Sequence, residues 1–267
     1  MGAVHRSAAS FLAAHVFAPA TIELQVAVAG RPRSEFLTVT VNGRAIEPLE
    51  LATEAGGRLH RFRSPAGRLE VIYRCEVEGA MPAAQVQQLD ATTYLRPSRY
   101  AESDHLAETA MTLFGGTTDP ADLVRGVAAW VGGRLSYLGG SSTGTDGAVD
   151  TLKAGVGVCR DYAHLTVALL RARDVPARVA AVYAPGLWPM DFHAVAEAIV
   201  GNRWVVVDPT LLAPRQTMLR IATGRDAADT AFLSSYGGEV RLDLIEIGAV
   251  VDGELPTDDL EHLVALS

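Results

Sequence analysis

Ala154-Gly155-Val156-Gly157-Val158-Cys159-Arg160-Asp161-Tyr162-Ala163-His164-Leu165 is the stretch on which the fold turns. Two glycines make a turn. The residues behind them (Tyr162, Ala163, Leu165, Val167, Leu169 and Leu170 among them) leave only a thin polar edge. This pattern predicts a helix over 158–173, apolar on most sides and therefore packed centrally, with Val175-Pro176 ending it. Cys159 falls in its first turn. Unpaired N–H groups and the partial positive charge of a helix N-terminus favour thiolate over thiol, and thiolate is the nucleophilic form.

A second stretch, running from His193 to Asp208, permits a geometric reading. Gly201-Asn202 is a good two-residue turn between two apolar strands. If those two residues form the loop, Val200 faces Arg203, Val195 faces Asp208 and His193 faces Thr210. His193 and Asp208 then share side-chain parity and project from one sheet face, with Cα atoms roughly 7–8 Å apart as diagonal neighbours. A one-residue slip would put them on opposite faces. Cys159 would come to this pair from the helix. His193 could take the thiol proton and later protonate a leaving amine, and Asp208 could fix the imidazole tautomer. The Cys159 N–H is one expected donor to an oxyanion, and Tyr137, with Trp130 behind it, is the candidate for the second.

Outward from these motifs, the first ninety residues read as strands. Thr21 to Val28 and Phe36 to Val41 alternate, Asn42-Gly43 is a type I′ hairpin signal, and Leu69, Val71, Tyr73, Cys75 and Val77 share one face. These features predict a small β-sandwich. Phe11 to Ala20 is apolar but short, and reads as a strand rather than a secretion signal. Helices follow over 102–114 and from Pro120 to about 131, with a glycine- and serine-rich loop over 132–147 and a short helical piece over 150–154. Strands are expected over 178–183, 193–200, 203–208 and 241–251. The resulting division is a β-rich part over 1–90, a core over 91–253 and a tail over 254–267.

Composition excludes several classes of function. The chain has 267 residues, of which 49% are hydrophobic and 20% charged, as in a globular protein with a substantial core. The net charge of −8 comes without a basic block, so a nucleic-acid partner is not expected. No run reaches the roughly 20 apolar residues of a membrane helix, so a soluble protein without a membrane partner is expected. Two cysteines, Cys75 and Cys159, form no disulfide framework and suit a reducing cytoplasm. His164 lies five residues after Cys159, but no CxxC or HExxH pattern supports metal ligation. No cofactor and no metal are expected. Cys75 reads as structural, Tyr162 as packing, and Trp188 and Met190 as residues of the loop before His193.

Taken with their order, the motifs resemble a known family. Gly157 to Leu165, Asp191-Phe192-His193-Ala194 and Val207-Asp208-Pro209-Thr210 are similar to the three core motifs of the transglutaminase-like superfamily. Tyr94-Leu95-Arg96-Pro97-Ser98-Arg99-Tyr100 resembles the segment leading into that core in bacterial members. The resemblance implies an α+β fold: a papain-like core with a central helix against an antiparallel sheet, behind an N-terminal β-sandwich-like domain. It maps nucleophile, base and orienting acid onto Cys159, His193 and Asp208. The expected function is thiol-dependent hydrolysis of a peptide, protein or small amide substrate through an acyl-thioester. Nothing in the chain resembles the calcium sites or extra barrels of animal transglutaminases. Two alternatives stay open: transfer of the acyl group to an amine, and a non-catalytic peptide-binding module of the same fold.

Overall fold

The computed structural model describes residues 4–267. In chain order the strands are β1 (His5–Val16), β2 (Ala20–Leu24), β3 (Ser34–Val41), β4 (Arg44–Ile46), β5 (Leu49–Ala52), β6 (Arg58–Ser64), β7 (Gly67–Glu78), β8 (Ser136–Tyr137), β9 (Val156–Gly157), β10 (Ala177–Tyr183), β11 (His193–Val200), β12 (Arg203–Val207), β13 (Leu219–Gly224), β14 (Leu233–Tyr236) and β15 (Val240–Val251). The helices are α1 (Asp90–Tyr94), α2 (Ala107–Phe114), α3 (Pro120–Arg134), α4 (Ala148–Ala154) and α5 (Cys159–Arg171). The fold is α+β, and no helix among the described residues is long and apolar enough to cross a membrane.

Two antiparallel sheets, ordered β15-β1-β7-β3-β4 and β14-β2-β6-β5, face each other across an apolar layer that includes Leu12, Ile22, Leu24, Val71 and Val77. Alternation in β7 buries Leu69, Val71, Tyr73, Cys75 and Val77 and leaves Arg74 and Glu76 exposed. Asn42 and Gly43 turn the β3–β4 hairpin with φ of 50° and 74°, the two left-handed residues of a type I′ turn. The apolar Phe11 stretch lies within β1, which is hydrogen-bonded on both sides, to β7 and β15.

Chain order and spatial order diverge toward the C-terminus. β14 and β15 lie within the sequence range 91–253, yet β14 pairs with β2, and β15 with β1 from Arg6↔Val251 to Val16↔Val240. Ile245, Ile247 and Ala249 pack on the sandwich. The last residues also dock: Val264 bridges Val206, Leu266 is buried, and Asp258 holds Arg215.

The third sheet, β12-β11-β10-β13, carries α5 across β10 and β11. Ala177, Val179, Ala196, Ala198, Val205 and Val207 meet Leu165, Ala168 and Leu169 there, with α3 completing the core. The small sheet residues let a helix of leucines and valines lie close. Asp119 caps α3 through the N–H groups of Ala121 and Asp122, with Pro120 in the first turn. α3 continues past Val131 to Arg134 despite Gly132-Gly133. A Cβ on Gly132 would stand 2.8 Å from the Pro209 carbonyl oxygen, so the glycine lets the helix touch the segment after β12. α2 starts at Ala107 rather than at 102, since the backbone over 101–106 closes i→i+2 and i→i+3 turns instead, and the Glu102 carboxylate accepts the Ala148 N–H of α4 at 2.8 Å.

Candidate active site

Three local devices aim Cys159. Gly155, with φ of 70°, ends α4 in the left-handed conformation that glycine adopts without steric cost. Gly157 has no room for a side chain, since its Cβ would lie 2.7 Å from the Cβ of Asp161. Asp161, fully buried, accepts the Val158 N–H at 2.8 Å and so closes the first turn of α5. Arg160 then pins the glycine-rich loop to the helix by donating to the Thr143 carbonyl at 2.5 Å and the Ser142 hydroxyl at 3.2 Å. Cys159 is partly exposed at the helix start.

Tyr137 reaches the same place by a separate route. β8 and β9 pair in parallel with Tyr137 opposite Gly157, two residues before the cysteine. Burial pushes the Tyr137 hydroxyl up to about 12, and the Cys159 thiol and the Asp191 carboxylate add to the rise, whereas the Cys159 N–H opposes it. The phenol therefore stays protonated, a donor beside the thiol. Trp130, the next candidate for that donor after Tyr137, packs edge-on against Phe114 with ring centroids 6.2 Å apart.

The β11–β12 hairpin has the register read from Gly201-Asn202: Val200 pairs with Arg203 and Ala196 with Val207. Gly201 alone takes positive φ, 63°, the glycine-first pattern of a type II′ turn. His193 opens β11 and Asp208 follows β12, so both stand at the same end of the hairpin. His193 Nε2 lies 2.7 Å from Asp208 Oδ2, and each residue is 1% exposed. Asp208 Oδ1 is filled by the Thr210 N–H at 3.0 Å and the Thr210 hydroxyl at 2.7 Å. With both oxygens accepting, Nε2 carries a hydrogen whether the ring is neutral or cationic, and Nδ1 is the nitrogen that gains or loses the proton. Nδ1 is buried and has no hydrogen-bond partner among the described residues; Cys159 is the group that acts on that side of the ring. Burial alone would lower the pKa of His193. The Asp208 charge and hydrogen bond, and then Cys159, outweigh it and raise the value to about 10.

The structure thus brings Cys159, His193, Asp208 and Tyr137 together. Arg160 and Asp161, whose sequence position suggests local pairing or orientation of the first helical turn, do both. The role of Thr210 is not legible from the motif alone; Asp-Pro-Thr is a local turn in which the hydroxyl and N–H of the third residue return to the carboxylate. The other residues lie elsewhere. His164 is stacked on Tyr100 and accepts the Ala227 N–H on Nε2 at 3.1 Å, and burial pushes its pKa down to about 4, so it is a neutral core histidine. Among the described residues no cluster of three His, Cys, Asp or Glu side chains is disposed to hold a metal ion. Cys75 is a buried free thiol whose pKa burial raises. Tyr162 donates to the Leu135 carbonyl at 2.8 Å, Met190 packs on the core, and Trp188 is 87% exposed.

Comparison with known proteins points to one family. Residues 107–209 match the transglutaminase-like superfamily. A crystal structure from Cytophaga hutchinsonii, provisionally described as a cysteine protease, is 30% identical and superimposes with a TM-score of 0.86, covering 100% of this chain and 98% of that one. An uncharacterized protein of Mycobacterium leprae is 26% identical over 162 residues, which are 56% of this chain and 57% of the relative. The match thus spans little more than half of that curated relative.

Proposed function

The chain belongs to the transglutaminase-like superfamily, and from that footing we propose that it is a cysteine hydrolase cleaving an amide or peptide bond through an acyl-thioester on Cys159. The observation that carries the reading is the buried His193–Asp208 pair at 2.7 Å, with the other imidazole nitrogen left to Cys159. The Cys159 proton passes to His193 Nδ1, and the sulfur attacks the substrate carbonyl carbon as its π pair moves to oxygen. The Cys159 N–H and the Tyr137 hydroxyl are the donors supporting that oxyanion. When the carbonyl reforms, the C–N bond breaks and His193 returns its proton to the leaving amine. Water then gives a proton to His193, its oxygen attacks the thioester, and the carboxylic acid leaves as the thiol is restored. Asp208 holds the ring in the tautomer that can accept at Nδ1 and stabilises its cation.

A panel of peptide amides, read for released ammonia or amine, tests this with Cys159→Ala as the control. Release that is saturable in substrate and absent from the variant is expected. Equal release from both proteins would overturn hydrolysis at Cys159. Adding a primary amine and looking for conjugates by mass separates hydrolysis from transfer.

A further inference from the structure

A cavity of about 660 Å³ lies between the sandwich and the third sheet, and neither Cys159, His193 nor Asp208 lines it. Its volume is that of a small-molecule site. Behind two arginines of its wall sits Glu197 of β11, fully buried between them and not itself lining the cavity. Arg178 of β10 donates through Nε to Oε2 at 2.9 Å, and Arg220 of β13 through Nη2 to Oε1 at 2.5 Å. The Arg178 guanidinium lies 3.8 Å from the centre of the Trp204 ring, which fixes its plane. Both arginines are more than nine-tenths buried, and both line the cavity.

One carboxylate cannot take ten N–H donors. Neither Arg178 Nη1 nor Arg220 Nη1 has a hydrogen-bond partner among the described residues, and neither atom is sealed in protein; Arg220 Nε is sealed and unpartnered. The same cavity shows acceptors in surplus. Buried Asp90 takes the Gln87 N–H at 2.7 Å and the Trp204 Nε1–H at 3.3 Å, both on Oδ2, and its Oδ1 has no partner among the described residues. Glu54 accepts the Tyr94 hydroxyl on Oε2 alone. Met81, Leu219 and Leu266 supply apolar wall.

A simple anion would meet Asp90 and Glu54 here, and a simple cation would meet the two arginines. A molecule carrying both charges satisfies both sets. We propose that this cavity binds a short peptide with free termini, its carboxylate on the Nη1 groups of Arg178 and Arg220 and its ammonium at Asp90 and Glu54. The site is separate from the thiol, so it stands whether or not Cys159 is a nucleophile.

Calorimetric titration of the Cys159→Ala protein with the dipeptide leucylglycine tests this without turnover. Saturable binding is expected, weakened at least tenfold by N-acetylation of the peptide and at least tenfold by amidation of its carboxylate. Arg220→Met should lose the carboxylate preference. Ala83→Trp, at an exposed residue of the cavity lining, should weaken binding at least tenfold without unfolding the protein, as checked by circular dichroism. The proposal is overturned if no saturable binding occurs up to about 10 mM, if capped peptides bind as well as the free one, or if folded Ala83→Trp binds like its parent.

Discussion

Asp208→Asn keeps the shape of the side chain and removes one charge, and the structure dictates which way the new amide must point. Asp208 Oδ1 accepts both the Thr210 N–H and the Thr210 hydroxyl. The backbone N–H cannot rotate away, so the amide oxygen stays there and the NH₂ turns to His193 Nε2. That nitrogen must then become an acceptor, which moves the ring hydrogen to Nδ1, the atom facing Cys159. In that tautomer His193 cannot take the thiol proton. The charge that offset burial is also gone, so the imidazole pKa falls from about 10. An ordinary thiol of pKa about 8.5 is only about 0.3% thiolate at pH 6 and about 3% at pH 7, so losing the activated thiolate slows alkylation by about 30–300-fold. The assay is iodoacetamide alkylation of Cys159 at pH 6–7, followed by peptide mass, with buried Cys75 as the slow internal reference. Wild type should react faster than a free thiol, and Asp208→Asn should lose about 30–300-fold while remaining folded by circular dichroism, with a lower melting temperature because the proton that the Asp208 charge held on His193 no longer stabilises the fold. Alkylation of the variant within threefold of wild type would refute the tautomer argument.

Thr210→Val removes one of the two donors on Asp208 Oδ1. A hydrogen bond to a charged group is worth about 1.5–3 kcal/mol, so a loss of about tenfold or more in Cys159 alkylation is expected, intermediate between wild type and Asp208→Asn. Gly157→Ala sets a Cβ 2.7 Å from that of Asp161; the overpacking should cost about 1–3 kcal/mol in urea denaturation and slow alkylation as the helix start shifts. For pH dependence, the His193 pKa is raised from 6.5 to about 10. The folded state therefore holds a proton that the unfolded chain lacks across that interval, and the stabilisation is complete below about 6.5 and lost as pH rises through about 10. The melting temperature should decline from pH 7 to 10 more steeply in wild type than in His193→Gln. Leu266→Ala, at a buried residue of the last segment, should cost about 2–5 kcal/mol, measured as a shift in urea midpoint; no shift would mean that segment contributes no packing.

Local periodicity and turn chemistry made the central features legible. Gly201-Asn202 set the hairpin register, and strand parity then placed His193 and Asp208 on one face without any tertiary information. Gly155 and Gly157 marked the turn before Cys159, and the apolar helix after it announced a central position. These signals lie within a few residues of the structure they specify, so one chain suffices to read them.

Tertiary structure decided what depended on distant partners. β15 alternates like any half-buried strand, and nothing within it says that its neighbour is β1, more than 200 residues away. Arg178, Glu197 and Arg220 look like surface charges on three separate strands until β10, β11 and β13 align them around one buried carboxylate. The last residues carried no pattern, yet Val264 and Leu266 pack on the third sheet because β12 leaves an open edge there. Tyr137 lies some twenty residues before Cys159, and only the β8–β9 ladder sets it beside the thiol. The sequence by itself determined register, caps and turns, because those rest on short-range sterics and hydrogen bonds. Which strands lie side by side, and which charges share a cavity, followed only from burying every apolar face at once.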